Sequence, residues 1–322
     1  MEIESYLYDA DGSDQIVEVR ENFLDTLNDN QLLWINLLNR AEETLEYAAR
    51  VLNLKNLPVK KILKVSARPS LEKFGNFYRF FIVSVEYGSE NTVNLIPIDF
   101  IVGKNFVITV HSGAVGYYSE FIESDRGETL IGGLDAESFV ASLLDLHIVT
   151  YFRVMEKIEN QIDKLDEKIL KKDLENDIFL DEIVKLRRNV SRVRRCLLPH
   201  RDVFYALSRP DFIISDCDSE TTFQHLNEHF ETCAETVESS RESVLSLFDL
   251  YTTKTSHQMN FLIKRLTFIT LLLGGMGVVA GIMGMNFEES FFKDSHGFWI
   301  VIGSLILTAV ILTIIGYKKR WI

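Results

Sequence analysis

Two apolar segments near the C-terminus constrain this chain more than any other feature. The runs Leu266–Met285 and Phe298–Ile315 are separated by one short loop, which opens with Gly284-Met285-Asn286. Each run is close to the roughly 20 residues that a helix needs to cross the hydrocarbon core of a bilayer. The rest of the chain is polar enough to be soluble. The sequence therefore predicts a large soluble body on a two-helix membrane anchor.

Composition limits the class of protein. Of 322 residues, 47% are hydrophobic, which is ordinary for a globular protein and too few for a carrier with many spans. The net charge of −13 argues against a nucleic-acid-binding surface and suits cations, although solubility alone also explains it. The sequence contains no P-loop, GxGxxG or nucleophile-elbow motif, so we expect neither an enzyme nor a nucleotide-driven pump.

Charge also predicts the orientation in the membrane. Basic residues flank the start of the first span and the end of the second, whereas the loop between them is acidic. These basic residues are Lys264, Arg265, Lys318, Lys319 and Arg320. We therefore expect a multi-pass protein of the cell (inner) membrane with both termini in the cytoplasm. The three cysteines show no paired spacing and the acidic N-terminus lacks an apolar signal segment, which both fit a cytosolic body.

The first 135 residues alternate between strand and helix patterns, as is typical of an α/β domain. Short apolar runs bounded by turn residues predict five strands, at Glu2–Tyr8, Gln31–Leu37, Tyr78–Tyr87, Thr92–Val102 and Phe106–His111. Apolar residues at helical spacing predict a helix over Ala41–Leu54. The expected fold of this part is an α/β sandwich, a sheet covered by helices.

Helical patterns dominate the rest of the soluble body. Asp135–Lys172 and Asp177–Ser208 predict an antiparallel helical hairpin, in which Pro199 kinks or breaks the second helix. A third pattern runs from Glu220 to Gly284 without a proline and continues into the first span. At 1.5 Å per residue this stem helix would be roughly 97 Å long. Such a helix needs partners to be stable, so we expect an oligomeric bundle.

Together these patterns divide the chain into soluble domain, hairpin, stem, first span, loop, second span and basic tail. The corresponding residues are 1–135, 136–219, 220–264, 265–285, 286–297, 298–316 and 317–322. The predicted class is a membrane protein with an α+β soluble part and an all-helical remainder.

One face of the helix that leads into and forms the first span is small or polar nearly throughout, at positions that recur every three or four residues. This face, which we call the seam, consists of Asn260, Ile263, Thr267, Thr270, Gly274, Gly277, Gly281 and Gly284. The seven-residue repeat is typical of helices that face a common axis. Two interpretations are open. Small residues can simply let two helices touch, as Gly277 and Gly281 would in a GxxxG contact, or the seam can line a conduit.

Asn286 favours the conduit. It stands at the outer end of the first span, where identical chains around an axis would form a ring of amides. Mg²⁺ gives up its waters reluctantly, and neutral amide oxygens can hydrogen-bond its water shell without binding the ion too tightly to release it. Glu288 and Glu289, just beyond, would raise the local cation concentration, or they are simply part of a solvated loop.

At these residues the chain resembles the CorA-type divalent-cation channels, whose signature is Gly-Met-Asn at the end of the first of two C-terminal spans. The motif here is Gly281-Ile282-Met283-Gly284-Met285-Asn286-Phe287, and the resemblance covers the whole chain in order. It implies a homopentamer whose first spans line the pore, with a selectivity filter at Gly284, Met285 and Asn286. It also implies Mg²⁺ as the usual ion. The relatives' other pore-lining positions fall here on Asn260, Ile263, Gly274, Gly277 and Gly281, and the seam adds Thr270.

The chain also departs from the family. Bulky gate residues are reduced here to Gly274 and Gly277, which leaves Ile263 and Leu266 as the expected hydrophobic constriction. Zinc-transporting relatives tend to differ at the middle residue of the motif, so Met285 favours Mg²⁺. Transport of Co²⁺, Ni²⁺ or Zn²⁺ stays an alternative. A different class is a membrane-anchored sensor or scaffold without a pore, whose spans dimerise through the seam glycines.

A second constellation lies on the stem. His225-Leu226-Asn227-Glu228-His229 has the His-x-x-Glu-His spacing of one class of zinc peptidase. No third ligand or substrate cleft accompanies it, and a solvated helix face is the simpler interpretation. The resemblance offers another, because the family carries a regulatory cation site in this region. The candidate ligands are His225, Glu228, His229 and Asp249. Mg²⁺ bound at subunit contacts would hold the pore closed.

Overall fold

A computed structural model of the chain describes residues 3–9, 14–21, 23–65, 68–88, 92–124, 135–171, 178–209, 219–285 and 295–318. The described residues form two compact units, one that includes the chain through Leu247 and one that begins at Phe248. The first unit combines a sheet with helices, and the second is helical.

The strands and helices are named here in chain order. The strands are β1 (Ile3–Asp9), β2 (Gln15–Ile16), β3 (Gln31–Leu37), β4 (Ser70–Phe74), β5 (Phe77–Tyr87), β6 (Val93–Val102) and β7 (Phe106–His111). The α-helices are α1 (Glu42–Val51), α2 (Val59–Leu63), α3 (Gly116–Ser124), α4 (Ala136–Lys171), α5 (Ile178–Leu197), α6 (Arg201–Leu207), α7 (Ser219–Met283) and α8 (Ser295–Lys318). The five predicted strands are confirmed to within about one residue at each end, whereas β2, β4, α2 and α3 were not predicted.

The strands form one mixed sheet in the order β2-β1-β3-β7-β6-β5-β4. β3 and β7 pair in parallel, and the other neighbouring pairs are antiparallel. Parallel strands need a long crossover between them, and here the crossover contains α1, α2 and the β4–β6 meander. β3, β5, β6 and β7 each have a neighbouring strand on both sides. Their residues are almost all buried, which explains the nearly continuous apolar runs in the sequence.

Helices cover both faces of this sheet, as the strand–helix alternation predicts. On one face Leu45 of α1 and Ile62 of α2 join the buried residues of β3 and β7. On the other face the ring of Trp34 packs edge-on against Tyr118 of α3 and Phe139 of α4, with ring centroids 5.3 and 5.6 Å apart. Side chains alternate across a strand, so β3 contributes to both cores at once.

A buried ion network lies within the sheet. Asp99 on β6 is fully buried and forms ion pairs with Arg40 and Arg79. Burial raises the pKa of the Asp99 carboxyl even though both guanidinium groups act to lower it. Arg40 also donates to the carbonyl oxygens of Ile62 and Pro97, at 2.8 and 2.9 Å, and so ties α2 to the sheet.

The predicted helical hairpin is formed by α4 and α5. Pro199 lies in a short 3₁₀ segment that separates α5 from α6, so the predicted break at this proline is confirmed. The part of α7 in the first unit packs beside the hairpin. Arg201 and Glu231 are 2.7 Å apart, Arg194 pairs with Glu238, and these two contacts show that α5–α6 and α7 run antiparallel.

Three helices of the described residues are long and apolar enough to cross a membrane: α4, α7 and α8. In α4 the most apolar window has a mean hydropathy of 1.3 and is 56% buried, because its apolar side packs on the sheet. The corresponding windows of α7 and α8 reach 2.1 and 2.5, and only 0% and 6% are buried. The described residues thus leave these two apolar surfaces uncovered, as expected of the two predicted spans.

Candidate functional site

The apolar part of α7 has one side that the second unit partly covers and one side that it leaves open. The half-buried residues are Phe268, Leu272, Met276 and Met283. The seam residues, by contrast, are all exposed. At about 100° of rotation per residue, the two sets are centred about 180° apart around the helix axis. The seam therefore points directly away from the covered side of its own chain.

Apart from the backbone of α7 itself, no atom of the described residues lies close to three of the seam glycines. A Cβ placed on Gly274, Gly277 or Gly281 would meet no atom of the described chain within 4 Å. In a GxxxG contact the facing helix would lie against these positions. Among the described residues, contact between the two spans of one chain therefore does not explain the glycines.

The remaining predicted pore residues also lie on the open side of α7. Ile263 and Leu266 are 52% and 66% exposed, although both are large and apolar. The Thr270 hydroxyl donates to the carbonyl oxygen of Leu266 at 2.8 Å, so its hydrogen is used within the helix and its oxygen lone pairs stay available. Asn260 is exposed on the same helix. This part of α7 combines bulky apolar side chains with uncharged oxygen atoms.

α7 ends where the Gly-Met-Asn motif begins. The Gly284 N–H donates to the carbonyl of Ala280 at 3.0 Å, and the Met285 N–H donates to the carbonyl of Ile282 at 3.1 Å. The C-terminus of a helix carries a partial negative charge, which favours cations nearby. Asn286, like the loop residues Glu288 and Glu289, lies outside the described residues.

The residues predicted as regulatory ligands on the stem separate into two contacts. His229 Nδ1 is 2.7 Å from Asp145 Oδ1 on α4, and its ring stacks on Phe152. His225 Nδ1 is 3.6 Å from Glu228 Oε2, and both of these side chains are largely exposed. Within the described ranges no three His, Cys, Asp or Glu side chains are arranged to hold a metal ion. The His-x-x-Glu-His spacing therefore does not produce a three-ligand zinc centre in the described part of one chain.

A groove of about 620 Å³ lies beside these histidines, between α3, α4 and α7. His225, His229 and Asp145 contribute its polar groups, and Phe121 is one of its apolar neighbours. Sequence reasoning missed Asp145, because nothing in a helical pattern indicates which residue of α4 will face α7. Asp249, the fourth predicted ligand, lies farther along α7 in the second unit.

Comparison with known proteins agrees with this architecture. The CorA-like Mg²⁺ transporter protein family matches residues 29–318. The chain belongs to this family. A cobalt/magnesium transport protein CorA from Thermotoga maritima is 27% identical over 296 residues, which cover 90% of this chain and 83% of that protein. The family predicted from the Gly-Met-Asn motif and the two C-terminal spans is thus confirmed.

Solved structures show the same fold. The CorA magnesium transporter from Methanocaldococcus jannaschii matches with a TM-score of 0.82 and 19% identity, over 100% of this chain and 99% of that one. The full-length CmaX protein matches with a TM-score of 0.75 and 21% identity, over 99% and 97% of the two chains. The CorA fold, with an N-terminal sheet domain, a long helix and apolar C-terminal helices, is therefore shown for this member of a divalent-cation transporter family.

Proposed function

We propose that this chain forms a homopentameric channel through which Mg²⁺ crosses the cell (inner) membrane passively, with both termini in the cytoplasm. Family membership supports divalent-cation transport, and the uncovered α7 and α8 support the membrane location. The observation that carries the proposal is the seam. Its small and polar residues lie opposite the covered side of α7, and no part of the described chain fills the space beside its glycines.

A ring of copies explains both properties of α7. If the covered sides face outward toward the second spans, all seams face one axis. Small residues then leave an opening along that axis, and the oxygen atoms of Asn260 and Thr270 offer hydrogen bonds to a hydrated ion. Ile263 and Leu266 form the apolar constriction, which closes to ions when it dewets.

Selectivity belongs to the Gly-Met-Asn motif at the outer end of α7. In the ring, one Asn286 amide from each copy meets the ion, and the C-terminal ends of the α7 helices add partial negative charge around it. The proposed filter keeps the water shell of Mg²⁺ because uncharged oxygens do not replace tightly held waters. Glu288 and Glu289 raise the cation concentration at the mouth.

The membrane potential drives the flow without a nucleotide. A divalent ion that crosses 100 mV gains about 4.6 kcal/mol, twice the value for a single charge. Regulation comes from Mg²⁺ bound in the cytoplasmic part at His225, Glu228, His229 or Asp249. In this proposal a second copy supplies further ligands, since the described residues of one chain bring no three candidate ligands together. Occupied sites then hold the subunits in the closed arrangement.

The proposal is tested by transport and mass measurements on the purified full chain. Liposomes that contain the protein and a Mg²⁺-sensitive dye should take up Mg²⁺, faster when a potassium gradient with valinomycin makes the interior negative. Native mass spectrometry in mild detergent should give five subunits. Two subunits without uptake would instead show a scaffold that dimerises through Gly277 and Gly281. Faster uptake of Co²⁺, Ni²⁺ or Zn²⁺ in the same assay would reassign the ion.

A further inference from the structure

The α4–α5 hairpin carries two exposed stripes of opposite charge. The basic stripe, on α5, consists of Lys185, Arg188, Arg192 and Arg195. The acidic stripe, on α4, consists of Glu156, Asp163 and Glu167. The residues of each stripe follow one another at intervals of three, four or seven, so each stripe runs along one side of its helix.

Both stripes point away from the inside of the hairpin. The buried residues on the apolar side of α4 are Tyr151, Met155, Ile158, Ile162, Leu165 and Ile169. Those of α5 are Ile183, Leu186, Val190, Val193 and Leu197. With about 100° between successive residues, the centre of each charged stripe lies about 150° around its helix from the buried side. The stripes of one chain therefore cannot meet each other.

The stripes are largely without partners in the part of the chain that the structure describes. None of the four basic side chains makes a hydrogen bond or an ion pair there, and neither do the carboxylates of Glu156 and Asp163; Glu167 pairs with Lys171 on its own helix. The arginines on the α7-facing side behave differently, since Arg194 and Arg201 both bind carboxylates of α7. A cluster of unpaired cations in a chain of net charge −13 favours an acidic partner.

The charged residues of the two stripes also lie at similar heights along the axis of the hairpin. The register is set by Lys168 Nζ, 4.0 Å from Glu182 Oε2, and by the Tyr151 hydroxyl, 3.3 Å from Cys196 Sγ. In this register three basic residues lie at nearly the same height along the hairpin as an acidic residue, to within about one helical turn of 5.4 Å. The three pairs are Arg195 with Glu156, Arg188 with Asp163 and Lys185 with Glu167. Long basic side chains cover a difference of that size.

We propose that the basic stripe of one copy binds the acidic stripe of the next copy around the ring. This rests on the proposed function, which places the copies of α7 around one axis. Within the first unit α5 and α6 run beside α7, so in this proposal neighbouring hairpins stand side by side and residues at equal height face each other. A contact between two different patches is heterologous, and it forms a ring when the rotation from one copy to the next closes. Opposite charges also reject the reversed arrangement, in which like stripes would face each other.

Cross-linking tests the contact in the full-length chain in mild detergent. The variant R188C/D163C, treated with a short bifunctional maleimide, is expected to give a ladder of linked subunits that ends at the complete ring, because every copy is then joined to both neighbours. R188C alone and D163C alone are the matched controls, which also report on the native cysteines, and should give no ladder. A double variant that stays monomeric on a denaturing gel, or stops at dimers, overturns the proposal.

Charge exchange gives a second, independent test. R188E/R195E should assemble less completely as salt is raised, by about two- to fivefold in the association constant for each pair lost. Adding D163R/E156R to the same chain should restore the assembly. The proposal fails if the exchange does not restore assembly. It also fails if the R188E/R195E ring assembles like wild type while anionic vesicles bind wild type but not R188E/R195E, because the basic stripe then binds another partner. If the wild type forms no ring at all, the proposed function fails instead.

Discussion

Acid should destabilise the first unit through a buried histidine. His200 follows α5 and is fully buried. Its Nε2 accepts the N–H of Val83 at 2.9 Å, and its Nδ1–H donates to the carbonyl of Cys196 at 2.8 Å. Burial lowers the pKa of His200 from 6.5 to about 4. His147, whose ring lies 5.5 Å away, is also buried, and burial followed by the charge of His200 lowers its pKa well below 6.5.

The direction and size of the effect follow from this difference. The pKa of His200 is lower in the folded than in the unfolded protein, so its stabilising contribution is complete above pH 6.5 and is lost as the pH falls from 6.5 toward 4. The difference between 6.5 and about 4 corresponds to about 3 kcal/mol in the free energy of unfolding, of which about 2 kcal/mol is already lost at pH 5. A typical domain has only about 5–15 kcal/mol in total.

Urea unfolding of the full chain, followed by tryptophan fluorescence with Trp299 and Trp321 replaced by Phe so that buried Trp34 is the reporter, measures this loss between pH 7.5 and 5. His200→Gln should be less stable than wild type at pH 7.5, because a well-made hydrogen bond is disturbed, but should lose about 2 kcal/mol less on acidification. His225→Gln is the matched control, since His225 is exposed, and should keep the wild-type dependence. Equal losses in His200→Gln and wild type would refute the reasoning.

Two more substitutions probe the seam and the buried ion network. Gly277→Leu should reduce Mg²⁺ uptake by liposomes at least tenfold, whereas Gly275→Leu should not, because the two side chains point about 160° apart. A Cβ at either position meets no atom of the described residues within 4 Å. Equal effects of the two would contradict the assignment of the seam. Asp99→Leu should lower the free energy of unfolding by about 3–5 kcal/mol, because Arg40 and Arg79 would stay buried without their carboxylate. A loss below 1 kcal/mol in urea unfolding would show that the network contributes little.

Much of the fold could be predicted from the sequence because the strongest patterns are local. The strands of the sheet interior are apolar runs with turn residues at both ends, and α7 is an uninterrupted helical pattern without proline. Pro199 predicts the interruption between α5 and α6, because proline disfavours the interior of a helix. The weak strand β4 could not be predicted, since Ser70–Phe74 has little strand pattern of its own and depends on pairing with β5.

Long-range contacts set the limit for the site. The seam was readable because its residues repeat on one helix, whereas the covered side opposite it depends on the second unit and became visible only in the structure. The contact between His229 and Asp145 joins residues from two helices far apart in the sequence, and no spacing rule connects them. The same holds for Arg40 and Asp99, whose pairing follows from the order of strands in the sheet.

The central claim is that identical Asn286 amides converge on one axis and select the hydrated ion. Its most direct test is Mg²⁺ uptake by liposomes that contain wild type or Asn286→Ala, each first shown by native mass spectrometry to have the same number of subunits. The account predicts five subunits for both proteins and no uptake above empty liposomes for the variant. Wild-type uptake by pentameric Asn286→Ala would contradict it.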